Sequence, residues 1–82
     1  MTNMNTYLTN LIEEKGKSLE TPIEIEGHFG MTLANVVEFI CSLPLEVQKD
    51  CRNKLVYIDF KNGDVFHFLD YIANGMAKLT EF

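Results

Sequence analysis

Residues 55–76 read LVYIDFKNGDVFHFLDYIANGM and decide the predicted fold. In this stretch a continuous apolar run is followed, after one turn, by apolar residues at helical spacing. The first six residues are rich in β-branched and aromatic side chains, which predicts a buried strand over residues 55–60. Asn62 and Gly63 tolerate the positive φ of a chain reversal. Asp64 can then accept hydrogen bonds from the free N–H groups of a first helical turn.

The dipeptide Asn62-Gly63 is also the strongest short signal for a β-hairpin, so the periodicity of residues 65–76 must decide between strand and helix. As a strand, residues 65–72 would mix apolar and polar side chains on both faces. As a helix, the segment places its apolar residues on one face: Val65, Phe68, Leu69, Ile72, Ala73 and Met76. We therefore predict a helix after the turn.

The N-terminal residues predict a helix followed by a strand. Tyr7, Leu8, Leu11 and Ile12 follow helical spacing. Asn5 or Thr6 can cap this helix at its start, and Gly16 stands where a helix ends. After Pro22, isoleucine alternates with glutamate over residues 23–26, which predicts a half-buried strand with one wet face.

The middle of the chain predicts two helices joined by a tight turn. Thr32 is a good N-cap for the first, whose apolar stripe includes Val36, Val37 and Ile40. Pro44 cannot continue that helix but is favoured in the first turn of the next, over residues 45–53. The predicted class is therefore α+β, a single domain over residues 1–82 with about four short helices on a two-stranded β ribbon, in the order α-β-α-α-β-α.

Composition predicts a small cytoplasmic protein with an acidic surface. The 82 residues carry a net charge of −5, and 46% are hydrophobic. No apolar segment approaches the roughly 20 residues needed to span a bilayer, and the N-terminus lacks the pattern of a signal peptide. A phosphate backbone would be repelled by most of this surface, so nucleic acid is an unfavourable partner.

The residue types that usually carry chemistry do not form a recognisable pattern. Cys41 and Cys51 lie in apolar, helix-like surroundings, which predicts reduced core thiols. His28 and His67 have no neighbours at metal-ligand spacing, and no phosphate loop or nucleophile motif is present. We therefore predict a protein without enzymatic activity, catalytic residue, metal or cofactor.

Five short segments resemble small proteins encoded by bacteriophages and integrated elements of proteobacteria. They are EEKG at residues 13–16, PIEIEG at 22–27, VVEFI at 36–40, IDFKNGD at 58–64 and FLDYIANG at 68–75. The resemblance implies a mobile-element setting and the cytoplasm of a bacterial host, and it supplies no catalytic residues. Small acidic proteins in such a setting often block a host protein, as anti-CRISPR inhibitors do.

The predicted function is stoichiometric binding to a host or phage protein, and inhibition of a host defence such as CRISPR is one form of it. Four phenylalanines exceed what one small core can hide: Phe29, Phe39, Phe66 and Phe82. The predicted interaction residues are Glu24, Glu26, His28 and Phe29, where an acidic segment meets an aromatic side chain between two glycines. The sequence also allows a homodimer, since a two-stranded ribbon alone is weak.

The alternative prediction is a DNA-binding regulator of the helix-turn-helix kind between Thr32 and Lys54. Its second helix would use Gln48, Lys49, Arg52 and Lys54 to contact nucleic acid. These residues cluster toward the C-terminal end of that helix, where basic side chains equally well offset the helix dipole. Base contacts in such motifs usually come from the N-terminal part, so this alternative ranks second.

Overall fold

The structure, a computed structural model, describes residues 3–79 and is built from four helices. They are α1 (Met4–Glu14), α2 (Leu33–Ser42), α3 (Leu45–Phe60) and α4 (Val65–Leu79). Within residues 3–79 there is no strand or sheet, so the predicted α+β class with a β ribbon is wrong and the fold is all-α. None of these helices is long and apolar enough to cross a membrane.

The predicted strand over residues 55–60 is the C-terminal part of α3. Cys51, Leu55 and Ile58 follow helical spacing and face the core, with Leu55 fully buried. Val56, Tyr57 and Phe60 give the segment the pattern of a continuous apolar run, yet all three are exposed. Helix formation is cooperative, and no glycine or proline interrupts residues 45–60, so the helix extends through a segment of high β propensity.

The predicted strand over residues 23–26 is part of an irregular loop between α1 and α2. Only two isolated bridges form there, Pro22 with Thr32 and Ile25 with His28. Ile23 is buried and Ile25 is half-buried, while Glu24 and Glu26 are exposed. The side chains therefore alternate between buried and exposed as predicted, but α3 supplies no partner strand.

The turn between α3 and α4 confirms the prediction for residues 62–64. Asn62 has a φ of 56°, and the Gly63 N–H donates to the carbonyl of Ile58 at 2.8 Å, which closes the C-terminal end of α3. The Asp64 carboxylate accepts from the N–H groups of Phe66 at 2.9 Å and His67 at 3.3 Å. The chain therefore reverses here into α4, as a helical pair and not as a β-hairpin.

The core lies where α4 packs against both α2 and α3, while α1 packs on α2. The caps follow the prediction in part: Asn3, and not Asn5 or Thr6, caps α1 by accepting from the Thr6 N–H at 2.8 Å. Thr32 is the N-cap of α2, as predicted. The largest fully buried side chains come from all four helices: Leu8, Ile12, Val36, Ile40, Leu55 and Leu69.

Gly75 lies inside α4, which continues to Leu79. A Cβ added at Gly75 would meet no atom within 4 Å. We expect Gly75→Ala to raise the free energy of unfolding by about 0.5–1 kcal/mol, because alanine is the better helix former and restricts the unfolded chain. Urea unfolding checks this, with Gly63→Ala as the opposite control.

At Gly63 the added Cβ would lie 2.9 Å from Ile58 Cγ2 and 3.2 Å from the Ile58 carbonyl oxygen, so this control is expected to destabilise the protein. Equal effects of the two substitutions would contradict the boundaries of α3 and α4.

Candidate protein-binding surface

Residues 22–32 form a closed loop between α1 and α2, and Ile23 in this loop belongs to the core. The Ile23 N–H donates to the Met31 carbonyl at 2.8 Å, and the His28 N–H donates to the Ile25 carbonyl at 3.0 Å. Gly27 and Gly30 have φ values of 83° and 82°, a backbone conformation that other residues rarely adopt. Hydrogen bonds and turn glycines therefore fix the path of the chain at the tip.

Phe29 stands between those two glycines and is 98% exposed. Glu24 and Glu26 on the same loop are also exposed, whereas His28 is partly buried. The structure thus brings the four predicted interaction residues into one loop. A fully exposed phenyl ring at the tip of a hydrogen-bonded loop contributes nothing to the core. Packing within the chain therefore does not explain why a phenylalanine stands at this position.

Phe29 borders two surface hollows. One, of about 680 Å³, lies between the loop and the helices and is lined in part by Met31, Phe39 and Met76. The other, of about 450 Å³, lies along the loop and is lined in part by Glu24 and Glu26. We call the loop and these two hollows the loop face.

An apolar groove of about 630 Å³ continues from the loop face between α2, α3 and α4. Phe39 and Met76 line both the groove and the larger hollow, so the two are contiguous. The groove also contains Tyr71 and Leu79, which are largely exposed. This groove is not predicted from the sequence. Tyr71 lies outside the apolar stripe predicted for α4, so its exposure is the signal that the sequence offers.

The predicted apolar surplus has four phenylalanines, and the structure describes three of them. Of these three, only Phe29 is fully exposed. Phe39 lines the groove and is half-buried. Phe66 is also half-buried, with the Lys17 Nζ 5.8 Å from the centre of its ring. Phe82 lies outside the described residues.

The charge around the loop face is negative. Residues 18–48 contain five acids and no lysine or arginine. Three of these acids, Glu24, Glu26 and Glu38, line the two hollows. Glu38 lines the larger hollow together with both polar and apolar side chains, and Glu24 and Glu26 line the smaller one. A surface with these acids is complementary to an apolar side chain flanked by lysine or arginine.

Three of the four residues of the nucleic-acid alternative, Gln48, Lys49 and Arg52, line one surface hollow of about 560 Å³, and Lys54 does not. Gln48 Nε2 donates to the carbonyls of Cys41 at 3.0 Å and Leu43 at 2.7 Å, so this side chain closes the C-terminal end of α2. The Arg52 guanidinium lies 4.7 Å from the centre of the Tyr7 ring on α1. Lys49 and Lys54 are exposed but point about 140° apart around the helix. Contacts inside the protein therefore account for two of the four residues.

The cysteines are free thiols, each partly buried. Burial raises the pKa of both Cys41 and Cys51 above its ordinary value, which lowers the fraction of reactive thiolate. Among residues 3–79, no three His, Cys, Asp or Glu side chains lie close enough together to hold a metal ion.

Asp59 accepts a hydrogen bond from Lys15 Nζ at 2.5 Å, and this pairing raises the pKa of Lys15. The pair joins the C-terminal ends of α1 and α3. Both side chains are more than one-third exposed, so it contributes little stability.

Comparison of the chain with family models, with curated proteins and with solved structures finds no match. The resemblance to small phage proteins therefore stays a prediction.

Proposed function

We propose that this protein binds another protein stoichiometrically through its loop face, with Phe29 as the anchoring side chain. The observation that carries the proposal is the 98% exposure of Phe29 on a loop closed by the Ile23–Met31 hydrogen bond. Large aromatic side chains are enriched among the residues that dominate binding energy in protein interfaces. A loop held in one conformation before binding also loses less entropy when its partner docks.

The shape and charge of the loop face indicate which kind of partner surface would bind it. The contiguous hollow and groove offer apolar contact from Phe39, Tyr71 and Met76. Methionine side chains adapt their shape, which suits a surface that must receive an apolar group. Since Glu38 lines one hollow and Glu24 and Glu26 line the other, the complementary surface carries an apolar projection and a pocket for a phenyl ring, bordered by basic side chains.

The setting implied by the sequence resemblance makes the partner a host or phage protein. Inhibition of a host defence such as CRISPR is one form of this proposal. In that form this protein binds the defence protein and blocks a basic functional surface on it. Identification of the captured protein distinguishes this form from the others.

Phe29→Ala is expected to abolish capture of the partner. The experiment uses the tagged full-length chain in a lysate of the bacterial host, with retained proteins identified by mass spectrometry. Removing the ring leaves the loop hydrogen bonds in place and deletes the anchor, so a loss of at least about thirtyfold in affinity is expected for a central aromatic residue.

The matched control is Leu45→Ala, because Leu45 is also a largely exposed apolar residue but lies at the start of α3. This variant is expected to retain the same protein as the unmodified chain. A captured protein that both variants lose, or that both retain, would place the binding surface elsewhere. Capture of no protein by the unmodified chain would also contradict the proposal.

A further inference from the structure

The first arm of the loop, residues 21–26, is hydrogen-bonded along one edge. Its odd-numbered residues direct backbone groups toward the second arm and the start of α2, and each of them forms one hydrogen bond there. These bonds run from the Leu33 N–H to the Thr21 carbonyl at 3.0 Å, from the Ile23 N–H to the Met31 carbonyl at 2.8 Å, and from the His28 N–H to the Ile25 carbonyl at 3.0 Å. This alternation is the hydrogen-bond pattern of an extended chain.

The even-numbered residues of the arm face the opposite edge. In an extended chain the N–H and C=O groups of successive residues point to opposite sides. Glu24 lies between two residues that bond inward, so its N–H and C=O point outward. Within residues 3–79, no hydrogen bond joins a backbone group of Glu24 or Glu26 to another residue. Because backbone polar groups must be paired with protein or water, those of this free edge bind water in the unbound protein.

The side chains of the arm alternate in the same way. Ile23 is buried and Ile25 is half-buried, while Glu24 and Glu26 are exposed. A segment that paired along the free edge would therefore place every second side chain on the wet face, beside the two glutamates. Side chains of paired extended segments on one face lie about 5 Å apart, where opposite charges attract.

The charge beside the free edge is negative. Glu24 and Glu26 line the smaller hollow, which consists of residues of this loop and whose one other titratable side chain is His28. Glu20 precedes the arm and adds a further acid. The basic groups nearest to the loop lie outside this hollow. In the part of the chain that the structure describes, Lys17 contacts the Phe66 ring, and Lys78 lines the apolar groove.

We infer that the free edge pairs with an extended segment of the protein that this chain binds, in which basic side chains alternate with apolar ones. The backbone of that segment bonds to the N–H and C=O groups of Glu24 and to the N–H of Glu26, and its basic side chains stand beside both carboxylates. Exposed, unpaired edges are templates for the addition of a strand. The inference rests on the proposed function, since it names the part of the partner that lies beside the Phe29 anchor.

The same charges disfavour a second copy of this chain as the occupant of the edge. Pairing between two copies of residues 23–26 would place glutamates beside glutamates, and like charges opposite each other are destabilising. A foreign segment with lysine or arginine at alternate positions meets no such repulsion.

The probe is a synthetic peptide of about seven residues in which lysine and valine alternate, with both ends blocked. It is added at concentrations up to the millimolar range to the isotope-labelled full-length chain. Near saturation, the amide hydrogens of Glu24 and Glu26 are expected to exchange with solvent at least about fivefold more slowly, because they become hydrogen-bonded. The amide of Ile23 is already bonded, so its exchange is expected to change little.

Two control peptides separate backbone pairing from charge attraction. A peptide of the same sequence with a methyl group on every backbone nitrogen keeps the positive charges but cannot donate hydrogen bonds. It is expected to bind at least about tenfold more weakly, because several hydrogen bonds are lost. A peptide with glutamate in place of lysine is expected to leave the exchange rates unchanged.

Glu24→Pro is expected to weaken binding of the probe beyond the effect of Glu24→Ala. Both variants delete the carboxylate, but only proline also removes the outward N–H. The further loss of affinity is expected to be at least about fivefold, the worth of one hydrogen bond. Since this N–H has no partner within residues 3–79, both variants are expected to unfold at the same urea concentration.

Reversing both charges is expected to reverse the preference of the edge. Glu24→Lys with Glu26→Lys should bind the lysine peptide at least about tenfold more weakly and should bind the glutamate peptide instead. The matched control is Glu13→Lys with Glu46→Lys, which changes the net charge equally at two exposed positions outside the loop. This control is expected to keep the lysine peptide.

Three results would overturn the inference: equal binding of the methylated and unmethylated peptides, equal affinities of the proline and alanine variants, or unchanged exchange at millimolar probe. Slower exchange of the same amides when the chain alone is concentrated would make a second copy the occupant and would also overturn it. In the lysate experiment, capture that is lost with Phe29→Ala but is equal for the proline and alanine variants of Glu24 would count against this inference alone. Slowed exchange with the probe, together with no protein captured by the unmodified chain, would count against the proposed function alone.

Discussion

Leu55→Ala is expected to lower the free energy of unfolding by about 2–5 kcal/mol. Leu55 is the one fully buried side chain of α3 and belongs to the core formed with α4. Shortening it removes apolar contacts and leaves a cavity that the surrounding helices fill only in part. A chain of this length has a total stability of about 4–12 kcal/mol, so this substitution removes a large share of it. Urea unfolding followed by circular dichroism measures the loss.

The matched control is Phe60→Ala, which deletes a larger side chain from the same helix. Phe60 is 78% exposed, so its removal is expected to change stability by no more than about 0.5 kcal/mol. A strand over residues 55–60 that faced Val56, Ile58 and Phe60 inward would reverse this order. A larger loss from Phe60→Ala than from Leu55→Ala would therefore contradict the helical structure of this segment.

Val56→Pro is expected to destabilise the protein by about 3 kcal/mol or more. Val56 lies in the interior of α3, and proline there removes one backbone hydrogen bond and clashes with the preceding turn. Val56 is half exposed, so the loss reports on the backbone and not on a deleted core contact. Thermal and urea unfolding both measure it.

Val56→Ala separates the side-chain effect from the backbone effect. It deletes the same exposed methyl groups while keeping the N–H group, and alanine favours helix. We expect its stability to lie within about 0.5 kcal/mol of the unmodified chain. If the proline variant is as stable as the alanine variant, α3 is not continuous at this position.

The sequence predicts α1, α2, α4 and the turn at residues 62–64, because each has a clean apolar stripe or a residue with a specific backbone role. It does not predict α3 correctly, because this helix buries few side chains and exposes several apolar ones. Spacing between Cys51, Leu55 and Ile58 is the signal that could have extended the helix. That signal crosses the predicted boundary between helix and strand, so local β propensity outweighs it.

The loop residues of the candidate site are identifiable from glycine placement and charge, since both are local features of sequence. The apolar groove is not, because Phe39, Leu43 and Tyr71 meet only after α2, α3 and α4 pack. The role of Gln48 is also hidden, because its bonds to two carbonyls depend on the angle at Pro44. From the sequence alone, a polar residue that caps a helix cannot be distinguished from one that contacts a ligand. The distinction depends on contacts that form when the helices pack.

The most direct test of binding through the loop face is an NMR titration of the isotope-labelled chain with the protein that it captures. We predict that the largest shifts of backbone amide signals fall on residues 27–31 and on the neighbouring groove residues, Phe39 and Met76. Amides of α1 and of the N-terminal half of α3 are expected to change little. Shifts confined to α1 and α3, with the signals of residues 27–31 unmoved, would contradict the claim that this protein acts through its loop face.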